Sequence, residues 1–124
     1  MYQNHMINVF LLVIVVTLFT AISIPEPGKY NVLAQENAVS IAPGSSNPSA
    51  SQFYVPDEIS VSVGTSVTWT NDDATIHTVT DRGGSFDSSI IAPSVIWENT
   101  FDTVGEFDYY CTLHPFMTGK VTVS

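Results

Sequence analysis

The chain has 124 residues, 44% of them hydrophobic, with seven Phe, five Tyr and two Trp. That is enough apolar bulk for one core of ordinary domain size, and it excludes disorder throughout. Twelve acidic residues against three basic ones leave a formal charge of −9, which argues against nucleic acid and anionic lipid as partners and for neutral or basic ones. The single cysteine excludes an internal disulfide, so stability has to come from the core, helped at most by a bound ion.

From Ile7 to Ile24 the run INVFLLVIVVTLFTAISI holds no charge, and the chain then turns polar at Pro25-Glu26-Pro27-Gly28-Lys29. Residues 1–34 read as an export segment with a hydrophobic helix. Either it is a signal peptide cut after Val32-Leu33-Ala34, or it is an uncleaved membrane anchor through residues 7–24, because the run has nearly the length that crosses a bilayer. A buried core helix is the third reading. No Lys or Arg precedes the run, so charge gives no orientation. Both export readings place the rest of the chain outside the cytoplasm, on the outer face of the membrane, in a periplasm or in the medium. Residues 35–52, with SIAPGSSNPSASQ at their centre, are rich in Ser, Pro, Ala and Gly and show no periodicity, so they read as a flexible tether, with a surface loop of the domain as the weaker alternative.

Residues 53–124 read as one all-β domain. Ile59, Val61 and Val63 alternate with Ser60 and Ser62; Gly64-Thr65 turns; Val67 and Trp69 alternate with Thr68 and Thr70. Asn71-Asp72-Asp73 breaks the pattern, Ile76 to Thr80 is a β-branched run, and Asp81-Arg82-Gly83-Gly84 turns again. Trp97, Asn99 and Phe101 share a face, as do Phe107, Tyr109 and Cys111, and Val121 and Val123 form a last short strand after Gly119. Short strands with frequent turns and no helical period predict an antiparallel sandwich or barrel.

Into that pattern falls CTLHPFM at 111–117. Cys111, His114 and Met117 are three of the four donors of a blue-copper site, in which a thiolate and two imidazoles lie in a plane and a weak thioether sits on the axis. The chain has three histidines; His5 lies in or before the export segment, so His77 is the other candidate within the domain. Each residue has a plainer reading: Cys111 as a small buried hydrophobe, Met117 as core filler, His77 as a strand residue with a satisfied hydrogen bond. The thiolate and imidazoles also suit zinc.

VSVGTSVTWTNDDATIHTVT and FDTVGEFDYYCTLHPFMTGKVTV resemble the cupredoxins of the plastocyanin and amicyanin type, and the Cys-x-x-His-x-x-Met loop has the short amicyanin-like spacing. The resemblance implies an eight-stranded Greek-key sandwich. It also implies one copper at one end, bound by His77, Cys111, His114 and Met117 and cycling between Cu(I) and Cu(II), with electrons passing at the edge of His114. One departure is Thr78, where many members carry Asn beside the thiolate. The expected function is one-electron carriage between a redox donor and an acceptor that dock near His114, Pro115 and Phe116. A cell-surface copper-delivery protein is the alternative, and a metal-free adhesion sandwich the third. Catalysis is not expected: all four donors are protein groups, and no histidines remain for a further copper site.

Overall fold

A computed structural model of the chain describes residues 37–124. The export segment 1–34, with its apolar run, its cleavage point and His5, lies outside the described residues. Eight strands follow: β1 Ala38–Ile41, β2 Tyr54–Val55, β3 Glu58–Val61, β4 Thr65–Asn71, β5 Thr80–Asp81, β6 Ile96–Phe101, β7 Gly105–Tyr110 and β8 Thr118–Val123. They form two four-stranded sheets, ordered β2-β1-β4-β6 and β3-β8-β7-β5. The architecture is therefore the expected Greek-key sandwich. Not every pair is antiparallel, however: β1 runs parallel to β4, and β3 runs parallel to β8.

Period-two alternation explains which faces meet. In β4, Val67, Trp69 and Asn71 point inward and are fully buried, while the threonines between them are half-exposed. Trp69 is the centre of the packing, with its ring 5.6 Å from Tyr109, 5.3 Å from Trp97 and 6.4 Å from Phe101 and Phe86. Tyr109 needs a glycine opposite it. A methyl group at Gly119 would sit 2.3 Å from its Cζ and hydroxyl oxygen, so Gly119 lies under the ring and inside β8, which starts at Thr118 and not after Gly119 as expected.

Two further expectations give way to the structure. Residues 37–52, the described part of the expected tether, belong to the domain. Ala38–Ile41 is the first strand, in register with Thr68–Asn71 of β4, and Val39, Ile41, Ala42 and Ser45 are buried. Only Val39 and Ile41 carry its inward face, and its ladder partner lies some 30 residues ahead, so no local pattern marked it. Secondly, the run Ile76–Thr80 is not a continuous strand. His77 pairs alone with Ile91, and the ladder begins only at Thr80. Side chains meet the run's backbone in place of a ladder: the Tyr54 hydroxyl donates to Thr78 O, Thr78 N–H points at Cys111 Sγ, and Val79 N–H donates to Ser88 Oγ.

Truncating Ile41, which is 0% exposed, to Ala should cost about 2–5 kcal/mol in a denaturant titration, and deleting the chain through Ala42 should abolish cooperative unfolding. A domain indifferent to both changes would restore the tether.

Candidate metal centre

β7 ends at Tyr110 and β8 begins at Thr118, and these two residues are paired, so residues 111–117 are the loop of a hairpin. Backbone bonds close that loop on itself: Cys111 N–H donates to Met117 O at 3.2 Å, and Met117 N–H donates to His114 O at 2.9 Å. Cys111 and Met117 are thereby held at its two ends, both 0% exposed in the same apolar cluster, while His114 is half-buried at its crest.

His77 reaches the loop through the other edge of β7. Thr80 pairs with Tyr110 antiparallel, so two residues earlier in one chain face two residues later in the other, and Thr78 meets Thr112. The contact is direct: Thr112 N–H donates to Thr78 Oγ1 at 2.9 Å, the two hydroxyls lie 3.2 Å apart, and Thr78 N–H points at Cys111 Sγ at 3.3 Å. Thr78 thus braces the thiolate with its backbone and ties the loop with its hydroxyl. With Thr78 fixed, His77 Nδ1 lies 3.8 Å and His114 Nδ1 lies 3.6 Å from Cys111 Sγ, and all three donor atoms fall within 4.8 Å of one another.

Sequence reasoning brought His77, Cys111, His114 and Met117 into view but missed what stands behind His77. Its Nε2 is 2.8 Å from Asp73 Oδ2, and the other carboxylate oxygen accepts from Gly44 N–H and Ala74 N–H, each at 2.9 Å. Ser45 Oγ lies 3.4 Å from Nε2, too long to compete with the carboxylate. In sequence Asp73 was simply part of a polar turn, and only its four-residue spacing from His77 carried a signal.

The electrostatics favour a metal-ready thiolate. Burial raises the Cys111 thiol, but hydrogen bonds from His77, from Thr78 N–H, from His114 and from Leu113 N–H outweigh it and draw the group down to about 6. For His77, burial disfavours the cation, yet Cys111 and Asp73 together hold the imidazole above its ordinary value. Asp73, despite its burial, is held below the usual carboxylate range by His77 and the two backbone amides. One thiolate and two imidazoles whose Nδ1 atoms converge on it form a donor set that fits copper in both oxidation states.

Comparison with known proteins agrees with this geometry. The family model of copper binding proteins of the plastocyanin/azurin family matches residues 41–124. An amicyanin from Paracoccus denitrificans is 39% identical over 79 residues, covering 60% of this chain and 60% of that protein. The chloroplastic plastocyanin of Tetradesmus obliquus is 30% identical over 107 residues, covering 76% and 72%. Among solved structures, a purple cupredoxin from Nitrosopumilus maritimus superposes with a TM-score of 0.66 at 34% identity, over 70% of this chain and 98% of that one. The chain spans less than two thirds of the length of the amicyanins it matches.

In the metal-free protein the thiolate ultraviolet absorbance should appear with a midpoint near pH 6, against 9.0 for an ordinary thiol, and should vanish in Cys111→Ser. The folded state then holds fewer protons than the unfolded one between those values, so this group's contribution to stability is complete above the unfolded value and is lost as pH falls through about 6. His77 acts in the opposite sense, its contribution fading as pH rises through its raised value. A thiolate midpoint near 9 would contradict the hydrogen-bond account.

Proposed function

This chain belongs to the copper-binding plastocyanin/azurin family, and from that premise we propose that it is a mononuclear type 1 copper protein carrying one electron at a time outside the cytoplasm. His77, Cys111, His114 and Met117 hold the ion in this reading. A copper ion bound there supplies Cu(I)/Cu(II) chemistry. The observation that carries the reading is the asymmetry of the donor cluster: His77 and Cys111 are fully buried, and His114 is the one of the three imidazole and thiolate groups with a path to the surface.

The chain's own groups divide the work. Cys111 is drawn toward its thiolate form against burial by the hydrogen bond from His77 first and then by Thr78 N–H. His77 is oriented from behind by Asp73. Met117, buried at the far end of the same loop, supplies the weak fourth donor. The loop's two backbone bonds and its tie to Thr78 fix the donors before any metal arrives, so little has to move when the oxidation state changes. Four protein donors leave no position open to a substrate, which favours a carrier over a catalyst.

Around His114 the surface is apolar: Leu113 is 45% and Phe116 38% exposed, Pro115 is exposed, and the Phe53 ring packs against Phe116 at 5.3 Å, tilted by 59°. This rim excludes water from the metal's edge and offers a dry contact where a redox donor or acceptor docks. The net charge of −9 favours a basic partner. Residues 7–24, as anchor or signal, would deliver the domain to the outer face of the membrane or beyond it.

Three variants test the reading. Cys111→Ser should lose the intense thiolate-to-copper absorption, whereas Met117→Leu should keep it and raise the reduction potential; a coloured serine variant would sink the assignment. Phe116→Glu should slow electron exchange with a small basic redox protein about tenfold or more, since burying an unpaired charge at a dry contact costs over about 1.4 kcal/mol. Slow exchange in the unaltered protein, with ready copper transfer to an apo acceptor, would favour delivery instead.

A further inference from the structure

Between His77 and Val79 the chain crosses the interior with one bridge and no ladder, so its peptide planes are oriented by single bonds. The 77–78 plane is held at both ends: His77 O accepts from Ile91 N–H at 2.8 Å, and Thr78 N–H points at Cys111 Sγ at 3.3 Å. The next plane is held by side chains. Its oxygen, Thr78 O, accepts from the Tyr54 hydroxyl at 2.7 Å, and its Val79 N–H donates to Ser88 Oγ at 2.8 Å. Ser88 gives its own proton to Ser89 O at 2.7 Å, which leaves Oγ as an acceptor. Tyr54 reaches this plane from β2, in the sheet opposite the one that carries the ligand loop. The residue is 2% exposed, and its ring packs edge-on against Tyr109 at 4.8 Å, which restricts where the hydroxyl can go.

From this arrangement we propose that Tyr54 is a positioning residue of the metal centre: its hydroxyl, reaching across from the opposite sheet, fixes the Thr78–Val79 peptide plane and through it aims Thr78 N–H at the ligand sulfur. The inference rests on the copper reading for its redox half, and on hydrogen-bond geometry alone for the rest. Each peptide unit is rigid, so the two planes that meet at Thr78 turn about that residue's own two dihedrals, and a plane released on one side loosens the other. A hydrogen bond to a ligating thiolate draws electron density from the sulfur, weakens its donation to the metal and favours the reduced ion. The donor is a dependable one. Burial first, and the charge of Cys111 second, raise the Tyr54 phenol far above its ordinary value, so it keeps its proton.

Phenylalanine at 54 would fill the same space without the bond. Thr78 is 4% exposed, so its carbonyl would be left buried without this donor, and the plane would turn to find another. Tyr109 supplies the control: it is 1% exposed and touches the Tyr54 ring, while the bond to Thr78 O comes from Tyr54.

The test uses the full chain, unaltered and as Tyr54→Phe and Tyr109→Phe. NMR of the metal-free protein should show a slowly exchanging Tyr54 hydroxyl proton and the Thr78 carbonyl carbon at the downfield position of a bonded C=O, moving upfield in Tyr54→Phe. In the Cu(I) form, which is diamagnetic, the Thr78 amide proton should move upfield in Tyr54→Phe and exchange about fivefold faster, as one ordinary hydrogen bond is worth. Spectroelectrochemistry should show the ratio of Cu(II) to Cu(I) affinity rising by about the same factor, so that the potential falls. Tyr109→Phe should leave the Thr78 signals and the potential in place. A freely exchanging Tyr54 hydroxyl or an unbonded Thr78 carbonyl in the unaltered chain overturns the proposal and needs no variant to fold. So does an unchanged potential in a folded Tyr54→Phe protein, which would leave Tyr54 a packing residue only, and so does an equal fall in Tyr109→Phe, which would assign the effect to the core at large. Failure of the unaltered chain to form a copper–thiolate chromophore would instead strike the copper reading, and the carbonyl signal would still decide whether Tyr54 holds Thr78.

Discussion

The pairing of Thr80 with Tyr110, extended by Thr78 onto the 111–117 loop, is the constraint on which the centre depends. A histidine and a cysteine 34 residues apart become neighbours only because β5 and β7 share a sheet edge in that register. Shifted by one residue, the His77 side chain would point to the other face. Thr78 carries the register into the site through three contacts, two to Thr112 and one to Cys111 Sγ. Elsewhere the sandwich serves to keep that edge rigid: Trp69 packs edge-on against Tyr109, and Gly119 makes room for the Tyr109 ring one strand away.

The site balances an expense against a use. An unpaired thiolate, imidazole or carboxylate buried at these depths would simply neutralise itself. Here each group is partnered by the next, from the Gly44 amide through Asp73 and His77 to Cys111, and the Thr78 amide holds the sulfur from its other side. The chain of partners keeps the thiol ionised near neutrality and holds the ligand nitrogens in place. Polar groups so enclosed have few alternative arrangements, which suits a centre whose donors have to serve two oxidation states without moving.

Much of this was legible in the sequence because its signals are local. The alternation in VSVGTSVTWTN and in FDYYC marks strands directly, and the three-residue spacing of Cys111 and His114 within one loop marks two of the three groups whose donor atoms cluster. What escaped notice depends on distant partners. β1 is four residues with two inward apolar side chains, and it is stabilised by β4, while its flanking Ser, Pro and Gly residues look like a linker to any local measure. His77 sits in a β-branched run that reads as strand, yet it makes a single bridge, and the backbone groups that follow it go to the side chains of Tyr54, Cys111 and Ser88. Gly119 reads as lying just outside the last strand because composition cannot show a tyrosine ring lying on top of it.

The central claim is that these donors make one copper–thiolate centre that takes up and gives back a single electron. An optical titration of the protein with Cu(II), followed by ascorbate and then an oxidant, addresses it most directly. The account predicts an intense visible band that saturates at one equivalent, bleaches with ascorbate and returns on reoxidation. A colourless product, a band that does not saturate, or loss of the thiol without a stable colour would contradict it.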